Sequence, residues 1–212
     1  MNRHPEIALL CFALLLVAAC GEDPEECPSG GETIKISAPS FKEGFEFEID
    51  RYEASRFDAN AASEGSGREI ACSMGGVQPW RTVSFKQASS ACKAAGKRLC
   101  TRSEWIAACG SMGLENHFPY GRNYDRTACK TESVEPGVTG ATPTCATQVN
   151  DIMDMSGNLR EWVVGTGTEM PGLAGGGFSD PELNASCTNV ISPSGGTDAY
   201  NPGKGDGFRC CK

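Results

Sequence analysis

The residues best equipped for chemistry lie between Asn150 and Val163, in the run N-D-I-M-D-M-S-G-N-L-R-E-W-V. Asp154 and Glu161 supply carboxylates, Asn158 an amide, and Gly157 a bend that can free backbone carbonyls. Hard oxygen donors at this density suit calcium, which takes carboxylates and main-chain oxygens together. The same residue types also make an ordinary Asp/Ser/Gly/Asn turn leading into a strand. In either case Trp162 and Val163 run on into apolar sequence, which fastens the segment to a core.

Cysteine is the second reactive population. The chain has 212 residues and 12 cysteines but only two histidines, His4 and His117, and no C-x-x-C. That pattern leaves zinc-ribbon, zinc-finger and thioredoxin-like chemistry almost nothing to stand on. Arg3, the apolar run Ile7–Val17 and the small residues Val17-Ala18-Ala19 before Cys20 read as a signal peptide over 1–19, too short to span a bilayer as a mature helix. The last four residues resemble a bacterial lipobox, which implies cleavage before Cys20 and lipid attachment to its sulfur. Plain cleavage with Cys20 left free is the other reading. With Cys11 and Cys20 set aside, ten cysteines remain, an even number in an exported chain, which points to disulfides. Net charge is −8, and the basic run Lys97-Arg98 is too short to make a nucleic-acid partner credible.

The elements that must position these residues are short. Residues 20–32, rich in Glu, Asp, Pro and Gly, read as a tether with the domain following from 33 to 212. Phe45–Tyr52 alternates apolar and charged residues, the period of a strand with one buried face. Ser84 with Gln87, and Thr101 with Glu104, are capping boxes for two helices that end at Gly96 and Gly110. Phe85, Ala88, Cys92 and Ala95 fall on one face of the first, and Trp105, Ala108 and Cys109 on the buried side of the second. Beyond Gly110 helical periodicity disappears. Phe118-Pro119-Tyr120-Gly121 is a rigid aromatic turn, and Cys129 and Cys145 enclose a Thr/Gly/Pro-rich loop that a local disulfide would pin. With 26 Gly and 12 Pro, the composition predicts a loop-rich α+β globule of two short helices and short antiparallel strands.

Seven collinear blocks resemble the formylglycine-generating-enzyme (sulfatase-modifying factor) family. They are Phe47–Glu53, Pro79–Ser84, the stretch from Ala88 to Trp105 with its Gly96-Lys97-Arg98-Leu99, Phe118–Gly121, the D-M-S-G-N-x-x-E-W of Asp154–Trp162, Gly175–Phe178, and Gly207–Cys210. The resemblance implies the family's irregular, C-type-lectin-like α+β fold. It implies structural calcium held by the Asp154 and Glu161 side chains and the Gly157 and Leu159 carbonyls. A second calcium site would need an Asn and an Asp after the aromatic turn, where Ala128–Thr131 offers neither. The resemblance also implies disulfides Cys92–Cys210 and Cys109–Cys187, while Cys129–Cys145 is plausible from loop closure. Cys27, Cys72, Cys100 and Cys211 remain without assigned partners.

The family's catalysts hold copper between two free cysteine thiolates just after the block matching Gly175–Phe178. Here Ser179–Ala185 contains no cysteine. Copper would require Cys187 with Cys210 or Cys211 as free thiols. Related iron-dependent sulfoxide synthases need several histidines, and this domain has only His117. The expectation is therefore a lipid-anchored, extracytoplasmic binding module with calcium as its structural ion, on the outer membrane if Gly21 after the lipidated cysteine directs sorting. Gly165–Gly177 and Ser179–Lys204 would form its binding surface, with Phe178, Asn184, Asn189, Tyr200 and Asn201 reading a peptide, protein or glycan. An oxidase converting a sulfatase cysteine to formylglycine, with copper, is the competing class, and a structural envelope lipoprotein the third.

Overall fold

A computed structural model describes Cys27 and residues 31–37, 46–111 and 115–212. The signal peptide, the lipidation site Cys20 and most of the tether lie outside the described residues. Among the described residues the regular structure is ten short strands, two α-helices and one turn of 3-10 helix at Pro143–Cys145. The strands are β1 (Thr33–Ser37), β2 (Glu46–Asp50), β3 (Ala54–Ser55), β4 (Cys72–Ser73), β5 (Arg98–Leu99), β6 (Arg160–Val163), β7 (Gly172–Ala174), β8 (Val190–Ile191), β9 (Asp206–Phe208) and β10 (Cys210–Cys211). The helices are α1 (Phe85–Ala94) and α2 (Arg102–Cys109).

Strand order in the first sheet is β1-β2-β10-β5, all antiparallel, and β3 pairs with β4 in a two-stranded ribbon. The third sheet runs β8-β7-β6-β9, and its β6–β9 pair is parallel. The expected strand is present, shorter than its pattern, as β2: Phe47 and Ile49 face the core, but Asp50 is buried too, where simple alternation would expose it.

Both helices begin as their sequences dictate. Ser84 Oγ accepts from the Gln87 amide while the Gln87 side chain accepts from the Ser84 amide, and Thr101 and Glu104 repeat the exchange. Each box satisfies donors that a helix start leaves orphaned. α1 buries Ala88, Ala91 and Cys92; α2 buries Trp105, Ala107, Ala108 and Cys109, together with the capping Glu104.

Two apolar clusters fill the interior. One gathers Ile36, Ile49, Trp105, Ile152, Met155 and Val163, the other Trp80, Val83, Leu99, Trp162, Leu173 and Phe208. β10 runs between them. Successive strand side chains point to opposite faces, so Cys211 enters the first cluster and Cys210 the second. Each is cross-linked on its own side, Cys211 to Cys100 and Cys210 to Cys92.

Candidate functional site

The stretch from Met153 to Trp162 passes through the middle of the molecule and is almost wholly buried. Asp154, Gly157 and Asn158 take left-handed backbone angles, φ 58°, 77° and 53°. At Gly157 a Cβ would run into the Lys130 carbonyl, so only glycine fits. Asn158 is the hub. Its amide nitrogen donates to Glu53 and its carbonyl oxygen accepts from Gly137 N; its backbone N–H reaches Lys130 O at 2.8 Å and its backbone carbonyl accepts from Phe178 N at 2.7 Å.

Glu161 and Arg209 form the electrostatic centre, both fully buried. Arg209 Nε donates to Glu161 Oε2 at 2.7 Å and NH2 to Oε1 at 2.6 Å, a bidentate fork. NH1 donates to the Asp50 and Arg51 carbonyls at 3.0 and 3.2 Å, and NH2 also to the Met153 carbonyl at 2.8 Å. Five guanidinium N–H groups thus meet five acceptors. Trp105 Nε1 gives Glu161 Oε2 a further bond at 2.7 Å. Asp154 Oδ2 accepts from Gly140 N at 2.6 Å, and Glu53 Oε1 from Leu159 N at 2.8 Å.

In this arrangement the carboxylates expected to meet calcium are engaged within the protein. Glu161 turns both oxygens onto a guanidinium and an indole, so they are not offered to a divalent ion. Asp154 Oδ2 accepts from the Gly140 backbone amide. Among the described residues no group of three or more His, Cys, Asp and Glu is arranged to hold a metal. Within the set Asp154, Gly157, Leu159 and Glu161, the positive charge that faces Glu161 is the Arg209 guanidinium.

Burial sets the titration of this knot. It pushes Asp154 up to about 6, with the bond from Gly140 and the charge of Arg209 opposing and Glu161 adding. Burial, reinforced by the charges of Asp154 and Glu161, raises Glu53 well above the usual carboxylate range. Arg209 stays charged: burial works against it, and the Glu161 carboxylate outweighs that.

All ten described cysteines are paired, as Cys27–Cys72, Cys92–Cys210, Cys100–Cys211, Cys109–Cys187 and Cys129–Cys145. The three expected bridges are present, and the four unassigned cysteines form the other two. Cys187, Cys210 and Cys211, the residues a copper centre would need as thiolates, are all bonded elsewhere. Five disulfides among the described residues are consistent with an oxidising, extracytoplasmic compartment. No helix among the described residues is long and apolar enough to cross a membrane.

The five residues expected to read a ligand are not one surface. Phe178 is buried, with Lys204 Nζ 5.2 Å from its ring centroid. The Asn189 amide closes a turn on the Asn184 carbonyl at 2.7 Å. Tyr200 sets its ring edge-on to Trp162 and donates to Asp206 Oδ2 at 2.8 Å; burial, then Asp206, pushes its hydroxyl up to about 12. Asn201 alone of the five is exposed.

The structure instead opens a groove of about 820 Å³ between residues 117–124 and 181–186. The second wall falls inside the expected binding surface. The first was missed, and its sequence signal was the aromatic turn Phe118–Gly121, read only as a rigid corner.

The profile of the sulfatase-modifying factor enzyme 1-like domain matches residues 34–212. No curated protein sequence matches the chain. Among solved structures, PvdO from Pseudomonas aeruginosa is similar at 16% identity and TM-score 0.53, covering 85% of this chain and 90% of its own. CarF is similar at 16% identity and TM-score 0.58, with 85% and 97% covered. Treponema denticola variable protein 1 is similar at 12% identity and TM-score 0.57, with 84% and 94% covered. At these identities the likeness to the three structures is one of fold.

Proposed function

The chain belongs to the sulfatase-modifying factor enzyme 1-like family, and from that premise we propose a lipid-anchored binding module that keeps the family's scaffold without its oxidase centre. Its fold is that of formylglycine-generating enzymes: two helices, short and mostly antiparallel strands, and five disulfides. One observation carries the reading. Cys187, Cys210 and Cys211 are bonded to Cys109, Cys92 and Cys100, so the soft thiolate pair that would hold Cu(I) has no members to draw on. The stretch that replaces it, Ser179–Ala185, forms turns beside the groove rather than a reactive pair. Cys20 carries the lipid and the acidic tether holds the domain off the membrane, with Gly21 favouring the outer one.

The test is direct. The mature protein is incubated with a sulfatase-type cysteine peptide, copper and oxygen, and the peptide is weighed by mass spectrometry. The expected result is unchanged peptide mass and no thiol titratable without reductant. Conversion of the cysteine to formylglycine would overturn the reading.

A further inference from the structure

We propose that the groove between residues 117–124 and 181–186 is a saccharide-binding site, specific for a short neutral oligosaccharide and independent of calcium. The assignment rests on the binding-module reading and adds to it the site and the ligand class.

The groove is built before any ligand arrives. Its two walls are joined where Cys187 N donates to His117 O at 2.7 Å, and the Cys109–Cys187 disulfide ties that junction to α2. Gln148 braces the first wall, with its backbone N–H on Pro119 O and its side-chain amide on Tyr120 O, while Phe118 and Gly121 exchange backbone bonds. In the second wall Asn184 N and Ala185 N donate to Pro181 O, and Ser156 Oγ anchors the Ala185 carbonyl at 2.6 Å. A rigid cleft of this kind loses little entropy on binding, and its volume lies within the roughly 300–1,000 Å³ usual for small-ligand sites.

Its polar tips are not used internally. The side chains of His117, Asn123, Glu182 and Ser186 make no hydrogen bond or ion pair with any described residue. Arg122 has only an exposed ion pair to Glu115, which is easily surrendered. Imidazole, amide, carboxylate, hydroxyl and guanidinium together present both donors and acceptors, the complement of hydroxyl groups that each donate and accept. Beside them lies an aromatic wall. Tyr124 is fixed by bonds from its hydroxyl to Thr131 and Glu132 at 2.8 and 2.9 Å, and its ring lies 5.5 Å from that of Phe118. With Leu183, 82% exposed on the rim, these give an apolar surface for the C–H face of a sugar ring.

Other ligand classes fit less well. Arg122 and Glu182 balance, so neither a polyanion nor a polycation is selected. Both walls are turns, and neither offers the continuous strand edge on which an extended peptide forms main-chain bonds. The apolar surface is too short for a helix. The groove lining carries a single carboxylate, Glu182, far short of the roughly six to eight oxygens that calcium takes, so a ligand here does not bind through that ion.

The experiment is calorimetric titration of the mature protein, in a non-glycosidic detergent, with cellotetraose, maltotetraose, mannotetraose and chitotetraose. Saturable binding of at least one is expected, unchanged by EDTA and by high salt. Asn123→Ala and Glu182→Gln, both at exposed positions, should each weaken it by about tenfold or more with the melting temperature unmoved. The proposal is overturned if none of the four saturates up to about 10 mM, or if both variants bind as the wild type does. It is equally overturned if only a random hexapeptide pool or an anionic polysaccharide binds, or if EDTA abolishes binding. Failure here with an unreactive cysteine peptide removes the saccharide alone; oxidase activity would remove the module reading instead.

Discussion

Arg209 shows how far single residues could be read. The motif around Asp154 and Glu161 points by resemblance to calcium; in the fold the positive charge against Glu161 is Arg209, 48 residues further along the chain. Nothing local to Glu161 distinguishes a carboxylate awaiting calcium from one awaiting a guanidinium; only the return of β10 beside β2 decides it. Breaking a buried pair leaves an uncompensated charge, so Arg209→Met should cost about 3–5 kcal/mol in urea unfolding, and EDTA should leave the wild-type midpoint where it was. Asp154 makes a sharper prediction. Its folded pKa, pushed up to about 6, lies above the unfolded aspartate value of about 3.9, so the folded state holds its proton more tightly. The resulting stabilisation is fully present below about pH 4 and lost as pH rises through about 6. Asparagine tolerates the left-handed backbone at this position, and can still accept from Gly140. Asp154→Asn should therefore flatten the fall in melting temperature between pH 4 and 7 (about the span of the shift). A wild-type curve that instead rises across this interval would contradict the burial argument.

The helices were legible because their signals are local: a cap, a box partner three residues on, and an apolar face. The two-residue strands were not. β5 and β10 carry no periodicity in two residues, and their pairing joins positions 111 apart in sequence. For the same reason Cys100–Cys211 could not be assigned from spacing, although adjacent cysteines at 210 and 211 had to face opposite ways if they lay on a strand. These bridges compensate for elements too short to hold themselves. In the chain-entropy account, a link closing a loop of around 100 residues contributes more than one closing about 15, roughly 4.7 against 3 kcal/mol. Cys92–Cys210 and Cys100–Cys211 close the same long loop, so they must be removed together: replacing all four cysteines by Ala should lower stability more than Cys129→Ala with Cys145→Ala, whose separation is 16. Denaturant midpoints of the two variants, measured without reductant, give the order. A reversed order would show that native packing around each bridge outweighs the loop it closes.

At the scale of the whole molecule, a mesh of disulfides and buried hydrogen bonds does much of what long helices and wide sheets do elsewhere. The two apolar clusters meet across β10, and the Glu161–Arg209 knot holds β2, α2, β6 and β10 around one guanidinium. Such a scaffold leaves its turns free to vary, which is why the groove formed where Phe118–Gly121 meets Pro181–Ser186, two segments whose encounter no local pattern foretold. The location of this scaffold in the cell turns on the other end of the chain. Cys27 is bonded to Cys72, so a lipid at Cys20, as proposed, would be separated from the domain by only the few residues before that bond and would keep the groove close to the bilayer. One acyl chain gives marginal membrane binding and stable anchoring takes more than one, so on the proposed anchor residence would depend on the whole modification at Cys20. Cys20→Ser should move the protein from the membrane pellet to the soluble envelope fraction while its melting temperature and its five disulfides stay as they are. If the variant still sediments with membranes, Cys20 is not the anchor and the attachment must lie on the domain itself.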